Sequence, residues 1–260
     1  TQADNSGRIT VLDLPGLNRV GQIANFDGSP PRSLAFASDE KAYITNQSLN
    51  SNFQPVPSTV SIVDLTTNAP VDSVPVGSGP EGIAVAGGRA FVANSADGTL
   101  SVIDTETDSV DAGVDLGCTG PNKVFVDEEN EVAVVCEGGG EATGEVVFVD
   151  PSTLQVRDRV ALDAVVGSAN FTQSASYSSS AEEIYAISGG VFGSGTGEIF
   201  RINTDGNVLD TTLQVPDDPQ LTGMTAVGYD GVSESLYVAR LPVGPDGGAS
   251  FSSRGTAVLL

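Results

Sequence analysis

The chain has no histidine and no tryptophan, one methionine, two cysteines and only eleven basic residues. Without imidazole it lacks the commonest general base, which removes Ser-His-Asp and Cys-His catalysis and leaves copper and haem sites without their chief ligands. The few Lys and Arg stand against 34 acidic residues, for a formal charge of -23. That balance excludes a nucleic-acid groove and disfavours an anionic membrane surface. Long apolar runs are missing too: the hydrophobic clusters fall far short of the roughly 20 residues of a spanning helix, so no membrane span is expected. The opening Thr1-Gln2-Ala3-Asp4 has neither the charged nor the apolar region of a signal peptide, so any leader is expected to be gone already.

At 260 residues the chain is at the upper end of one domain, and regular repetition would let it remain one. Its only lysines are Lys41 and Lys123, and its acids include more Asp than Glu on a background rich in Gly, Ser, Thr, Val and Ala. Small carboxylates stay hydrated, and their repulsion is tolerable once salt shortens the Debye length to about 3 Å at 1 M. A halophilic protein is expected; an ordinary acidic secreted protein is the alternative.

A repeat runs along the chain. One copy reads Gly79-Pro80-Glu81-Gly82-Ile83-Ala84-Val85, then Arg89-Ala90-Phe91-Val92-Ala93-Asn94, then Thr99-Leu100-Ser101-Val102-Ile103-Asp104, then Ser109-Val110-Asp111-Ala112-Gly113-Val114. The second run recurs at Ala42-Tyr43-Ile44-Thr45-Asn46, Val132-Ala133-Val134-Val135-Cys136, Ile184-Tyr185-Ala186-Ile187-Ser188 and Leu236-Tyr237-Val238-Ala239-Arg240. The third recurs before Asp13, Asp64, Asp150 and Asn203, with spacings of 51, 40, 46 and 53 residues. Four β-type runs per period of about 40 to 50 residues predict a β-propeller, an all-β fold of four-stranded antiparallel blades. Helical and leucine-rich repeats are excluded, because the runs are rich in Val, Ile, Phe, Tyr and Thr and are bounded by Gly, Asp, Asn and Pro.

Tyr43-Ile44-Thr45-Asn46 and Phe91-Val92-Ala93-Asn94, the runs ending in Asp64 and Asp104, and Gly77-x-x-Pro80 resemble the YVTN-repeat family, named for its Tyr-Val-Thr-Asn core. The resemblance is strong in the blades at Pro31 and Pro80, fair at Pro121, and eroded after residue 169, where Asn170 and Thr222 replace the proline. It implies a propeller, usually seven-bladed, of the kind found in surface-layer and exported proteins of bacteria and archaea. It says little about activity, since function lives in sites grafted on folds.

Residues 1–260 read as a single propeller domain, with blade units starting near 31, 80, 121, 170 and 222 and partial blades at both ends. Two strands of a leading blade and three of a trailing one flank four complete blades. This is about five and a half blades, and pairing the two ends into five leaves one strand to spare. The chain is therefore expected to be a piece of a ring with six or seven blades.

Asp13, Asp64, Asp104 and Asp150 each open an Asp-x-x-Thr-type turn, where a short carboxylate accepts backbone N–H groups, and Asn46 and Asn94 are expected to cap strands in the same way. Cys118 lies in the linker before the third full blade and Cys136 at the end of its second strand. A hairpin turning near Glu128 to Asn130 puts them on one rim, so a disulfide worth about 3 kcal/mol is expected there, two buried thiols being the alternative. Asp127-Glu128-Glu129-Asn130-Glu131 carries enough oxygen for Ca²⁺ but lacks the glycine and alternating spacing of a Ca²⁺ loop, so it reads as a solvated acidic turn and no cofactor is expected. Asn46-Gln47-Ser48 and Asn170-Phe171-Thr172 match the glycosylation pattern.

The mouth of the central channel is the candidate ligand-binding place. Arg32, Glu81, Asn122 and Lys123 follow the Gly-x-x-Pro corner and face the axis, with Phe171 and Gly223 as counterparts. They form no convergent catalytic set, so the absence of any site is the favoured reading. The first functional reading is a non-catalytic propeller, exported to the periplasm, cell surface or medium. It would bind a protein or surface polymer through one face or through the inserts at Gln47 to Ser58 and Gly189 to Gly197. The second is a propeller hydrolase of the lactonase type, which similar-looking propellers imply; here it would use carboxylates, Arg and a metal at the channel. A quinoprotein is disfavoured by the missing Trp. The balance lies against an enzyme.

Overall fold

The computed structural model describes residues 7–13, 16–24, 29–139, 142–162, 175–188, 197–214, 221–242 and 256–259. Among these residues there are 21 strands and no helix. By their contacts, residues 1–126 with 151–155 form one compact unit, and residues 127–150 with 156–260 form another.

The first unit opens with a two-stranded sheet, β1 (Ile9–Leu12) and β2 (Arg19–Ile23). Two four-stranded antiparallel sheets follow, each in sequential order: β3 (Pro31–Phe36), β4 (Lys41–Asn46), β5 (Pro57–Asp64) and β6 (Ala69–Ser78), then β7 (Pro80–Ala86), β8 (Arg89–Asn94), β9 (Thr99–Asp104) and β10 (Ser109–Asp115). β11 (Pro121–Val126) is its last strand. In the second unit β12 (Val132–Cys136), β13 (Glu145–Val149) and β14 (Val156–Ala161) pair in succession. A four-stranded sheet of β15 (Ala175–Ser178), β16 (Glu183–Ser188), β17 (Glu198–Asn203) and β18 (Val208–Gln214) comes next. β19 (Leu221–Asp230), β20 (Ser235–Pro242) and β21 (Thr256–Leu259) make a three-stranded one. Among the described residues the first sheet is thus a pair and the last a triplet. The blade start near 170 lies outside the described residues; β15 begins at Ala175.

The second strands are buried almost end to end. This is why they read as unbroken apolar runs, whereas the outer β10 and β14 are mostly exposed. Between the first two complete sheets, Tyr43, Val60, Ile62, Val74 and Val76 pack on Ile83, Ala90, Val92 and Ile103. In the second unit Tyr185, Ile187 and Ile199 pack on Met224, Leu236 and Val238. Each such side chain contributes about 1.5–3 kcal/mol by leaving water.

The hairpins between third and fourth strands share one turn. Asn68, Asp108, Leu154 and Asn207 all adopt positive φ, from 48° to 59°. Each is followed by a register shift in the outer pair. Each hairpin is thus closed by a left-handed residue and a bulge. Asp64 Oδ1 accepts Thr66 N at 2.7 Å and Thr67 N at 3.2 Å, and Asp104 Oδ1 accepts Glu106 N at 2.9 Å and Thr107 N at 2.8 Å. The Thr66 hydroxyl, which donates to Asp64 Oδ1 at 2.6 Å, and then the backbone bonds hold Asp64 below its ordinary carboxylate value, and the Thr107 N–H and hydroxyl bonds do the same for Asp104.

Asn46 and Asn94 depart from the expected capping. Their side chains are buried and donate across the hairpin, Asn46 Nδ2 to Ser61 Oγ at 2.8 Å and Asn94 Nδ2 to Ser101 Oγ at 2.9 Å. Asn46, 1 % exposed, is thereby closed to a glycan in the folded chain. Gly77 lies on Asn94 so closely that a Cβ there would sit 2.7 Å from Asn94 Cγ, which accounts for the glycine of the linker.

Neighbouring sheets are latched at one repeated position. The residue at the start of the second strand reaches the turn between the third and fourth strands of the next sheet. Lys41 Nζ donates to Asp108 Oδ1 at 3.0 Å and Thr105 O at 2.6 Å; Arg89 Nη1 donates to Pro151 O at 2.9 Å. Glu131 Oε2 accepts Asn207 Nδ2 at 3.0 Å. Where the left-handed turn residue is Leu154, which offers no polar group, the arginine uses main-chain carbonyls instead.

Candidate functional site

Pro31, Pro80 and Pro121 open the innermost strands β3, β7 and β11, where a missing N–H costs no ladder bond. The residues after them are the candidate set. Arg32 and Glu81 come together across adjacent sheets, Nε to Oε2 at 2.9 Å and Nη2 to Oε1 at 3.0 Å, the two-pronged geometry that suits guanidinium and carboxylate. Glu81 is nearly enclosed, its side chain 8 % exposed against 35 % for Arg32. Gln47 Nε2 adds a third donor to Glu81 Oε1 at 2.9 Å, and Thr45 Oγ1 donates to the Glu81 carbonyl at 2.7 Å.

Asn122 is buried and Lys123 half-buried one strand further on. β7 and β11 run so close that a Cβ on Gly82 would lie 2.4 Å from the Asn122 carbonyl oxygen. Of the counterparts, Phe171 lies outside the described residues, and Gly223 falls in β19 at a register shift between Thr222 and Met224. Glu81 is thus committed to holding two strands and a loop base together. Gln47 belongs to this set, although the sequence placed it only at the start of the insert at Gln47 to Ser58 and not at the channel mouth.

The loop between β4 and β5 rises from the same corner. Gln47 N donates to Pro30 O at 3.2 Å, Ser29 Oγ lies 2.8 Å from Ser48 Oγ, and Pro55 abuts the Gly79 linker. The loop is therefore anchored on two successive linkers. Its tip is folded on Asn50, whose Oδ1 accepts Asn52 N at 2.9 Å and Gln54 N at 3.1 Å and whose carbonyl accepts Phe53 N at 3.0 Å. Leu49 pairs with Pro55, and Phe53 adopts φ 60° and is 83 % exposed. The second insert, at 189–196, and the 170–172 glycosylation pattern lie outside the described residues.

The acidic run at 127–131 is a tight turn, with Asn130 at φ 64°. Asp127 Oδ1 accepts Glu131 N at 2.7 Å, and both side chains are buried rather than solvated as the sequence suggested. The reason is Glu131, which is drawn in by Asn207 and lies 3.7 Å from Arg157. Burial pushes the Asp127 carboxyl above its ordinary range; the Glu131 N–H bond opposes this, and the Glu131 and Glu129 charges add to it. Among the described residues no group of three or more His, Cys, Asp or Glu is placed to hold a metal ion.

Cys118 and Cys136 are both disulfide-bonded and no free thiol remains, so the expected bridge is formed. Cys136 occupies the repeat position of Asn46 and Asn94. At that position Asn94 meets the Gly77 linker, so the third repeat replaces a packed contact by a covalent one.

Near the leading sheet, a cleft of about 250 Å³ is lined by Ile9, Val11, Leu34, Phe36 and Ile44 among others. Leu34 is 43 % and Phe36 65 % exposed, while Ile83 and Val124, the repeat counterparts of Leu34, are buried.

No family model matches the chain, and no curated protein sequence matches it. Among solved structures it is similar to hydrazine synthase of Kuenenia stuttgartiensis, with a TM-score of 0.68 and 20 % identity over 90 % of this chain and 70 % of that one. It is also similar to a chain of the mitotic checkpoint complex, with a TM-score of 0.65 and 14 % identity, covering 90 % of this chain and 65 % of that one. At such identities the likeness is one of fold. With the sequential antiparallel sheets it defines the chain as a β-propeller. Among the described residues no helix is long and apolar enough to cross a membrane.

Proposed function

We propose that this propeller is a non-catalytic binding module of the YVTN-repeat type, working outside the cytoplasm in concentrated salt and attached to another protein or a surface polymer. The observation that carries the reading is the β4–β5 loop. It is fixed on two linkers, ordered by its own hydrogen bonds, and leaves residues 49–55 in solvent. A loop held this firmly loses little freedom when it meets a partner. The disulfide supports an oxidising compartment. The similarity to a chain from a multiprotein assembly fits the reading, and a small ligand at the channel mouth would have to compete for Arg32 and Glu81.

Trimming residues 49–55 to a two-residue turn tests it. Cross-linked preparations from the cells that make the protein should lose its complex, with the melting temperature unchanged; a complex that survives trimming moves the contact off this loop, and no complex with the untrimmed chain overturns the reading. The salt component has its own measurement. Acidic self-repulsion predicts a melting temperature that climbs between low and molar salt, and a flat response removes the halophilic part.

A further inference from the structure

The tip of the β4–β5 loop stands out against its own chain. Between Lys41 and Asp64 there is no Asp, Glu, Lys or Arg, and no longer uncharged run occurs in a sequence of net charge -23. The middle of that run is the exposed loop, with Phe53 83 % and Leu49 47 % exposed. Val232, 96 % exposed in another turn, shows the contrast: it sits between Asp230 and Glu234.

Interface centres are depleted of charge and organised around rigid aromatic anchors, because a charge there must be stripped of water without return. The loop meets both conditions. Its backbone is fixed on Asn50, so the Phe53 ring is held outward before any partner arrives. Asn50 spends its side-chain oxygen on Asn52 N and Gln54 N, and its amide nitrogen lies 3.5 Å from Gln54 Oε1. The Asn50 side chain is thus engaged inside the loop, and Leu49, Phe53 and Pro55 give its exposed tip an apolar surface beside the polar Ser51, Asn52 and Gln54.

We infer that this tip is a protein-docking knob, with Phe53 as the anchor that enters an uncharged apolar socket on a partner protein. The inference rests on the binding-module reading and deepens it by naming the contact and the partner's chemistry. A contact of this kind is driven by burial rather than by ion pairing, so molar salt leaves it intact or strengthens it.

The test places a photo-cross-linking amino acid at Ser51 of the full chain, and at Val232 as a comparison, in the cells that make the protein. The expected result is a discrete protein adduct from Ser51. With that partner purified, Phe53→Ala should weaken binding about 30-fold, Phe53→Leu much less, and affinity should hold or rise from about 0.15 M to about 2 M salt. Several outcomes overturn the knob and leave the binding module standing. These are adducts from Val232 but none from Ser51, adducts of Ser51 with polysaccharide or with a second copy of the chain, and a partner indifferent to Phe53→Ala or released by salt. No adduct from either position and no complex in the loop-trimming comparison overturns both. Since Phe53 is exposed, an unchanged melting temperature confirms that the variants are folded.

Discussion

Lys41 and Asp108, 67 residues apart, are joined by two hydrogen bonds of 3.0 and 3.1 Å from one ammonium to both carboxylate oxygens. Tyr43 donates its hydroxyl to the same carboxylate, and the Lys41 ammonium lies 5.7 Å from the Tyr43 ring centroid. Burial, then the bond to Asp108, pushes the Tyr43 hydroxyl well above its ordinary pKa.

This cluster should behave as a unit. Tyr43→Phe is expected to cost about 1 kcal/mol and Lys41→Met about 1–2 kcal/mol in denaturant unfolding. The double variant should cost less than the two together, because both act on Asp108. Strict additivity would show that Asp108 does not link them.

Arg32 and Glu81 should respond unequally to removal. Arg32→Ala strands a nearly enclosed carboxylate and should cost about 2–3 kcal/mol, below the roughly 3–5 kcal/mol of a fully buried pair because Arg32 is a third exposed. Arg32→Met combined with Glu81→Leu should recover much of that loss. A single Arg32→Ala change without effect on unfolding would show that the pair is not structural.

Replacing Cys118 and Cys136 together by Ser should lower stability by about 3 kcal/mol on the loop-closure scale. The reductant-treated wild type should melt where the double variant does. Equal melting temperatures for oxidised and reduced wild type would contradict this.

Asp127 gives a pH dependence with a definite sign. Its carboxyl is raised in the folded state, so the folded chain binds the proton more readily than the unfolded one. Its contribution is fully present below the ordinary carboxylate range near pH 4 and is lost as pH rises through the raised value. Asp127→Asn keeps the acceptor for Glu131 N and carries no charge, so its stability relative to wild type should improve from pH 4 to pH 7. A constant difference across that range would rule out the raised carboxyl.

The strands and turns were legible in the sequence because they follow from local rules: β-type runs, prolines at the first strands, and an Asp that accepts N–H groups two and three residues on. The bridge was legible because both cysteines belong to one repeat. The Arg32–Glu81 pair was visible only as two residues at the same repeat position. That they bond to each other depends on how adjacent sheets approach, which one repeat does not encode. The Gln47 bond to Glu81 was missed for the same reason, whereas Asn46 was read as a cap and its bond to Ser61 lies within its own hairpin. The burial of Asp127 and Glu131 required Asn207, 76 residues beyond Glu131.

The latches carry a further consequence. Their place is constant but their chemistry changes: lysine with aspartate, arginine with carbonyls, glutamate with asparagine. These three sheets therefore bear different keys at one position. Transposing two repeats would set Glu131 against Asp108, acid against acid, so the order of the repeats is written into their contacts as an address as well as into the chain that joins them.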